Sequence, residues 1–328
     1  MASGVFERLK SQQWGPLIKR YGTPFGGLVI FVFFSLYTEY FATMDNIFTM
    51  LKQMSMLTIL ALGFTFVMGA GGFDMSIGFS IGLATVFMST VLVSTGNLFF
   101  ALLVALAIGI AVGITNGFLV AYLNLPDFIA TFGIGQIAYG IKMMYTKGHP
   151  IFLSNVPESF FYIGQGHLGP IPFPIVIMFG LFVVAFLVLN WTRFGQHIYA
   201  IGGNPSAALY AGINVKFYRF LTFVISGLTI GITSIVLTSR LGSGQPAAGE
   251  AYLLDVISVA FLSTTMFGEG EPNAKGIIIG AFIITIISSG LTMMGVAYYF
   301  KWITKGTVVI LAITLSALMG QKPNIKIF

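Results

Sequence analysis

The chain has 328 residues, of which 56% are hydrophobic and only 8% charged, whereas soluble domains carry about 25% charged residues. So much apolar surface has no place to hide in a soluble fold, and a soluble enzyme or nucleic-acid-binding protein is excluded. The net charge of +6 is scattered between apolar runs and reads as topology information; the absence of cysteine rules out disulfides and thiolate metal sites.

Residues 1–24 read as a retained cytoplasmic segment. Glu7, Arg8, Lys10, Lys19 and Arg20 fill its first part, with no small-residue cleavage site after a short apolar core. Val5, Phe6, Leu9, Trp14, Leu17 and Ile18 make Ala2 to Ile18 mildly amphipathic, as for a segment lying along the inner membrane surface. Residues 25–320 read as one transmembrane domain and 321–328 as a cytoplasmic tail.

A span-length window gives about ten crossings. They are Phe25 to Phe41, Met54 to Ala70, Ile77 to Thr95, Leu98 to Tyr122, Ile129 to Tyr145, Ile171 to Asn190, Phe217 to Ser239, Leu254 to Phe267, Gly276 to Val296 and Trp302 to Met319. The expected fold is therefore an all-α integral membrane protein. The eighth span is short and reads as broken or partly buried. With the N-terminus inside, the even count returns Lys322 and Lys326 to the cytoplasm. The Trp191 to Lys216 loop is then inside and the longest polar connection, Thr146 to Pro170, outside. Arg8, Lys10, Lys19, Arg20, Arg193, Lys216, Arg219, Lys275, Lys322 and Lys326 fall inside on this reading, against Lys52, Lys142, Lys147, Arg240, Lys301 and Lys305 outside, a modest positive-inside bias.

Small residues recur at helix-packing spacing. Gly78 and Gly82 do so in the third span, Gly109, Gly113 and Gly117 in the fourth, and Gly227 and Gly231 in the seventh, which lets backbones approach closely where apolar side chains gain nothing by leaving lipid.

Asp74 is the only charged side chain between Lys52 and Asp127, within Gly71-Gly72-Phe73-Asp74-Met75-Ser76-Ile77-Gly78. A carboxylate there must be hydrated, paired or used. The glycines permit a sharp entry to a helix beginning near Met75, whose free amides at Ser76 and Ile77 the carboxylate is expected to cap; the other reading has it facing a solute path.

The metalloprotease His-Glu-x-x-His, the Gly-x-Ser-x-Gly elbow and the Gly-x-x-x-x-Gly-Lys-Ser/Thr phosphate loop are all absent, so no catalytic residue is assigned. His149, His167 and His197 read as separated loop residues, and no metal site is expected. Ion-coupled carriers need intramembrane acids at mid-depth. Here Asp74, Glu39, Asp255 and Lys142 are the candidates, and most sit near predicted ends.

Within the inner loop, Gly202-Gly203 reads as a flexible turn. Asn204 caps a helix with Pro205 at its first position, Ala207 to Tyr210 favour helix, and Gly212 ends it. A short surface helix between two spans suits docking to a partner.

The ordered motifs resemble permease subunits of the ribose/galactose-type ATP-binding-cassette importers, a group that includes branched-chain amino-acid and nucleoside permeases. They are Gly71 to Gly78, Pro126-Asp127-Phe128-Ile129-Ala130-Thr131-Phe132-Gly133, Phe194-Gly195 through Tyr199 to Asn204 and on to Gly212-Ile213-Asn214-Val215, and Ser239-Arg240-Leu241-Gly242-Ser243-Gly244-Gln245-Pro246 with Gly249 and Leu254-Asp255. The resemblance implies a vitamin-B12-importer-like (type II) arrangement in a bacterial cytoplasmic (inner) membrane, working as a homo- or heterodimer. It further implies a cytoplasmic ATPase that hydrolyses ATP, an extracytoplasmic solute-binding protein delivering a sugar or similar polar solute, and no cofactor on this chain. On that pattern Gly203, Asn204, Pro205, Ala208 and Gly212 form the ATPase coupling segment, and Gly72, Asp74, Ser76, Arg240, Gln245 and Asp255 are helix-break or translocation-path residues. An ion-coupled carrier or channel is the alternative. One run departs from the family pattern: where a glycine-rich Gly-Gly-Thr-Ser-Leu-x-Gly-Gly-x-Gly stretch is usual, this chain has Ser263-Thr264-Thr265-Met266-Phe267-Gly268-Glu269-Gly270-Glu271-Pro272-Asn273, as in an outlying subgroup or one half of a heterodimer.

Overall fold

The computed structural model describes residues 21–154, 156–267 and 270–318. The predicted N-terminal amphipathic segment, the C-terminal tail and Glu269 lie outside the described residues. Helices α1 (Tyr21–Tyr37), α2 (Met44–Gly69), α3 (Ser76–Thr95), α4 (Leu98–Gly117, continued by a π-turn over Phe118–Tyr122) and α5 (Asp127–Thr146) form the first half. Then follow α6 (Glu158–Gln165), α7 (Phe173–Trp191), α8 (Arg193–Gly203), α9 (Pro205–Tyr210), α10 (Val215–Leu241), α11 (Glu250–Thr264), α12 (Ala274–Met293) and α13 (Tyr298–Leu318). Helices thus occupy all the predicted span positions. Among the described residues, six are both long and apolar enough to cross a membrane: α2, α3, α4 with its π-turn, α7, α10 and α12.

The centre is built from α2, α3, α10 and α11. From Met54 to Gly69 every residue of α2 is buried, so this helix is apolar all round, as a helix surrounded by others must be. Asp255 to Thr264 of α11 are likewise buried; the short eighth span is an interior helix. By contrast α4 and α7 keep most of their apolar surface outward, where lipid replaces protein as the apolar solvent.

The glycine stripes seat these helices. A methyl group on Gly109 would run into the Gly227 carbonyl and lie 2.7 Å from the Gly231 amide; one on Gly113 would meet the Phe223 carbonyl. The stripes of the fourth and seventh predicted spans therefore pack on each other, α4 against α10. Gly78 instead opposes Gly249 and Leu253, and Gly82 opposes the Pro246 carbonyl and Lys142, so the third-span stripe receives the segment between α10 and α11.

Thr146 to Pro170 is not a bare loop. It carries α6, and its strand β1 (Ile151–Phe152) pairs antiparallel with Ser243–Gly244; a second two-residue ladder joins His167–Leu168 to Ile171–Pro172. The Gly164 amide donates to Ser239 Oγ at 2.7 Å. This connection therefore sits at the Arg240 end of α10, while α8 and α9 sit at its Lys216 end, where the His197 and Tyr218 rings lie 4.7 Å apart.

Candidate functional site

Between α2 and α3 the chain leaves helical geometry. Ala70 ends α2, Gly71 adopts a left-handed φ of 73°, and α3 begins at Ser76 with Met75 as its N-cap. Side chains from α3, α5 and α10 bind this turn. The Phe73 amide donates to Asp127 Oδ2 at 3.2 Å and the Met75 amide to Thr131 Oγ1 at 2.9 Å. Asp127 also pairs with Arg219 Nη2 at 2.8 Å. Gly72 lies so near that a methyl group there would sit 2.8 Å from Asp127 Oδ2.

Asp74 is buried at the heart of this centre. Its Oδ1 accepts from the Ser76 amide at 2.9 Å and the Ser76 hydroxyl at 2.6 Å; its Oδ2 accepts from Ser226 Oγ of α10 at 2.8 Å. Asn116 Nδ2 of α4 donates in turn to Ser76 Oγ at 2.7 Å. The expected contact with the Ser76 amide is present. The expected contact with Ile77 is not: helix α3 starts at Ser76, and the second oxygen turns toward α10. Three donors, two of them hydroxyls, satisfy the carboxylate inside the bundle.

The α8–α9 turn lies against the same centre. Thr192 Oγ1 caps α8 by accepting from the Gly195 amide at 3.3 Å, and Asn204 Oδ1 caps α9 by accepting from the Ala207 amide at 3.0 Å, with Pro205 at the first position. Gly212 closes the unit at φ 83°. Two sequence expectations need correction here. Gly202 and Gly203 are the last residues of α8 and not a free turn, because Gly202 fits flat against the Gly69 carbonyl, where a side chain would collide. His197, read as a loop residue, is in α8.

Ala208, assigned to the coupling surface, is 4% exposed and faces the bundle; Leu209 and Tyr210 are the outward groups, at 61% and 90%. A cleft of about 500 Å³ runs between Gly71, Pro126, Asp127, Gly203, Pro205 and Arg219. It brings the predicted coupling residues Gly203, Asn204 and Pro205 to the Asp127–Arg219 pair.

The remaining predicted path residues stand at the far end of the bundle. Arg240 and Asp255 share a cavity of about 510 Å³ with Tyr252, Thr285, Lys301 and Lys305, and Asp255 Oδ2 accepts from Lys305 Nζ at 2.8 Å. Gln245 does not line it: its side-chain amide nitrogen donates to Ser243 Oγ at 3.0 Å and its backbone carbonyl accepts from Thr85 Oγ1 at 3.1 Å, locking the segment between α10 and α11 onto α3. Glu39, weighed as an intramembrane acid, is exposed in the turn after α1. Lys142, counted among the outer charges, is fully buried. Its Nζ donates to Glu250 Oε1 at 2.6 Å and the Phe79 carbonyl at 3.1 Å.

Ser226, Asn116 and Glu250 carry no signal in the sequence, and Gly202 reads there only as part of a turn. Their partners, Asp74, Ser76, Lys142 and Gly69 respectively, are 152, 40, 108 and 133 positions away in the chain. A seryl, asparaginyl or glycyl position within an apolar run signals close packing and no particular partner.

The architecture is thus a polytopic helical bundle with a polar break wedged against a capped surface turn. Residues 46–315 match the family described as branched-chain amino acid transport system / permease component. The chain belongs to this family. Among its relatives is the ribose import permease protein RbsC of Bacillus subtilis (strain 168), 36% identical over 293 residues, covering 89% of this chain and 91% of the relative. The D-allose transport system permease protein AlsC of Escherichia coli (strain K12) is 31% identical over 306 residues, covering 92% and 93%. The galactose/methyl galactoside import permease protein MglC of the same strain is 33% identical over 297 residues, covering 85% and 88%. No solved structure matches the chain. The permease is accordingly a multi-pass membrane component of a transport system.

Proposed function

We propose that this permease is the membrane subunit of an ATP-driven importer moving a sugar or similar polar solute inward across a bacterial cytoplasmic membrane. All ten helices at the predicted span positions cross or enter the bilayer in this reading, in a type II importer arrangement, with both termini and the α8–α9 turn cytoplasmic. Two permease chains pair, a partner ATPase docks on the turn, and an extracytoplasmic solute-binding protein delivers the solute at the Arg240 end. ATP is bound and hydrolysed by the partner and not by this chain.

One observation carries the coupling role: the helix ending at Gly203 is seated on the Gly69 carbonyl, at the end of α2 that leads into the Asp74 turn. A push on α9 reaches Asp127, Gly72 and Asp74 through packed backbone and charge-assisted hydrogen bonds, with little slack to absorb it. The Gly72, Asp74 and Ser76 turn then acts as the helix break that shifts between two packings, and Arg240 and Asp255 line the solute's entry. Gln245 supports that entry by holding the α10–α11 segment on α3.

Reconstitution tests this directly. Proteoliposomes holding the permease with its ATPase and binding protein should accumulate labelled ribose, allose or galactose only with ATP. ATP-independent counterflow by the permease alone would instead favour an ion-coupled or channel-like carrier.

A further inference from the structure

The cavity between the ends of α2, α10, α11, α12 and α13 holds more positive charge than its one carboxylate balances. Lys305 is paired with Asp255 at 2.8 Å. The Arg240 guanidinium and the Lys301 ammonium have no carboxylate partner among the described residues, yet both are half-buried in the same wall. Cations held partly out of water without a counter-charge are costly, and an arriving anion would be bound by charge-assisted hydrogen bonds. Arginine adds a planar fork matched to carboxylate and phosphate oxygens.

The same cavity is equipped for hydroxyl groups. Asp255 Oδ1 is buried with no hydrogen-bond partner among the described residues, an acceptor open to a donor such as a sugar hydroxyl. Tyr252 and Thr285 also line the cavity, the Tyr252 hydroxyl donating to Met56 Sδ at 3.8 Å. The volume of about 510 Å³ lies within the range of about 300 to 1,000 Å³ usual for small-molecule pockets.

We propose that this cavity is a binding site for a hydroxyl-rich solute bearing one carboxylate or phosphate group, the chemistry of a sugar acid. Arg240 and Lys301 hold the anionic group, and Asp255 Oδ1 accepts from a hydroxyl while its other oxygen stays on Lys305. This rests on the reading above that the Arg240 end faces the incoming solute, and it adds a charge preference to that reading.

The test uses the full chain in nanodiscs of zwitterionic phosphatidylcholine, with D-galacturonate and D-galactose as probes, which differ only in the carboxylate at carbon 6. Calorimetric titration should show galacturonate binding at least about tenfold more tightly, the factor that about 1.4 kcal/mol provides. Lys301→Gln, and Arg240→Gln with Lys301→Gln, should abolish that preference while the melting temperature stays near that of the parent. If the double variant does not fold, the single one decides. Equal affinity for the two sugars, no galacturonate binding, or an unchanged preference in Lys301→Gln would each overturn the proposal. So would loss of galacturonate binding on adding anionic phosphatidylglycerol, which would make the cavity a lipid-headgroup site. Equal affinity with both sugars weakened alike by Arg240→Gln would remove the charge preference and leave the solute-path reading standing; ATP-driven uptake tests that reading separately.

Discussion

Ser226 Oγ of α10 donates to Asp74 Oδ2 at 2.8 Å, tying the break between α2 and α3 to a helix whose first turn lies beside the α8–α9 unit. The carboxylate therefore organises two helices. Replacing Asp74 by asparagine keeps an acceptor for Ser76 and offers an amide to the Ser226 hydroxyl; replacing it by leucine strands three donors. Each stranded buried donor costs about 1–3 kcal/mol. Asp74→Asn should remain assembled and retain most uptake, with a melting temperature a few degrees lower. Asp74→Leu should lose folding and uptake together. An Asp74→Asn protein that is folded, paired and ATPase-bound but inactive would mean that the charge itself works in translocation.

Gly202 is the tighter half of its pair. A methyl group there meets the Gly69 carbonyl, whereas at Gly203 it meets open space. Gly202→Ala should cost about 1–3 kcal/mol by overpacking and uncouple ATP hydrolysis from uptake, while Gly203→Ala should do neither. Equal behaviour of the two variants, in a melting curve and an uptake assay, would show that the seating of α8 on α2 is not tight.

The outward side chains of α9 point to a docking surface distinct from its buried support. Leu209→Glu and Tyr210→Glu should leave the melting temperature unchanged and reduce co-purification of the ATPase several-fold, since exposed apolar and aromatic groups in a central contact dominate interface energy. Ala208→Arg should fail earlier, in folding, because that position is closed by the bundle. Full ATPase retention by Tyr210→Glu would remove α9 from the interface.

Lys142 and Glu250 form a pair with one fully enclosed member, the lysine, and one 26% exposed. Removing only the carboxylate leaves a buried ammonium without its counter-ion, a loss of about 3–5 kcal/mol, whereas replacing both groups by apolar ones is often close to neutral. Glu250→Leu alone should therefore be strongly destabilised, and Lys142→Met with Glu250→Leu should recover most of the loss. Additive losses on a double-mutant cycle would show that the two charges do not depend on each other.

The sequence made some of this legible because the signals are local. A run of apolar residues long enough for a bilayer, an Asn-Pro start with a later glycine, and glycines at every fourth position each constrain nearby backbone, and α9, Gly212 and the α4–α10 seam follow from them. What was hidden depends on distant pairing. Nothing near Asp74 signals that Ser226 will reach it, and nothing near Gly202 signals that Gly69 will. The same holds for Ala208: in so short a helix only the packing around it decides which side faces the bundle. Lys142 misleads for a related reason, since a charge near a predicted span end looks solvated until Glu250 arrives from another helix.

A coupling role for the α8–α9 turn requires that the turn face the cytoplasm. The chain has no cysteine, so single cysteines can be placed at Ser206, on the exposed rim of α9, and at Ser154, exposed in the connection at the opposite end of α10. A membrane-impermeant maleimide should label Ser154→Cys in intact cells and Ser206→Cys only after the membrane is opened. Labelling of Ser206→Cys in intact cells would contradict a cytoplasmic coupling turn.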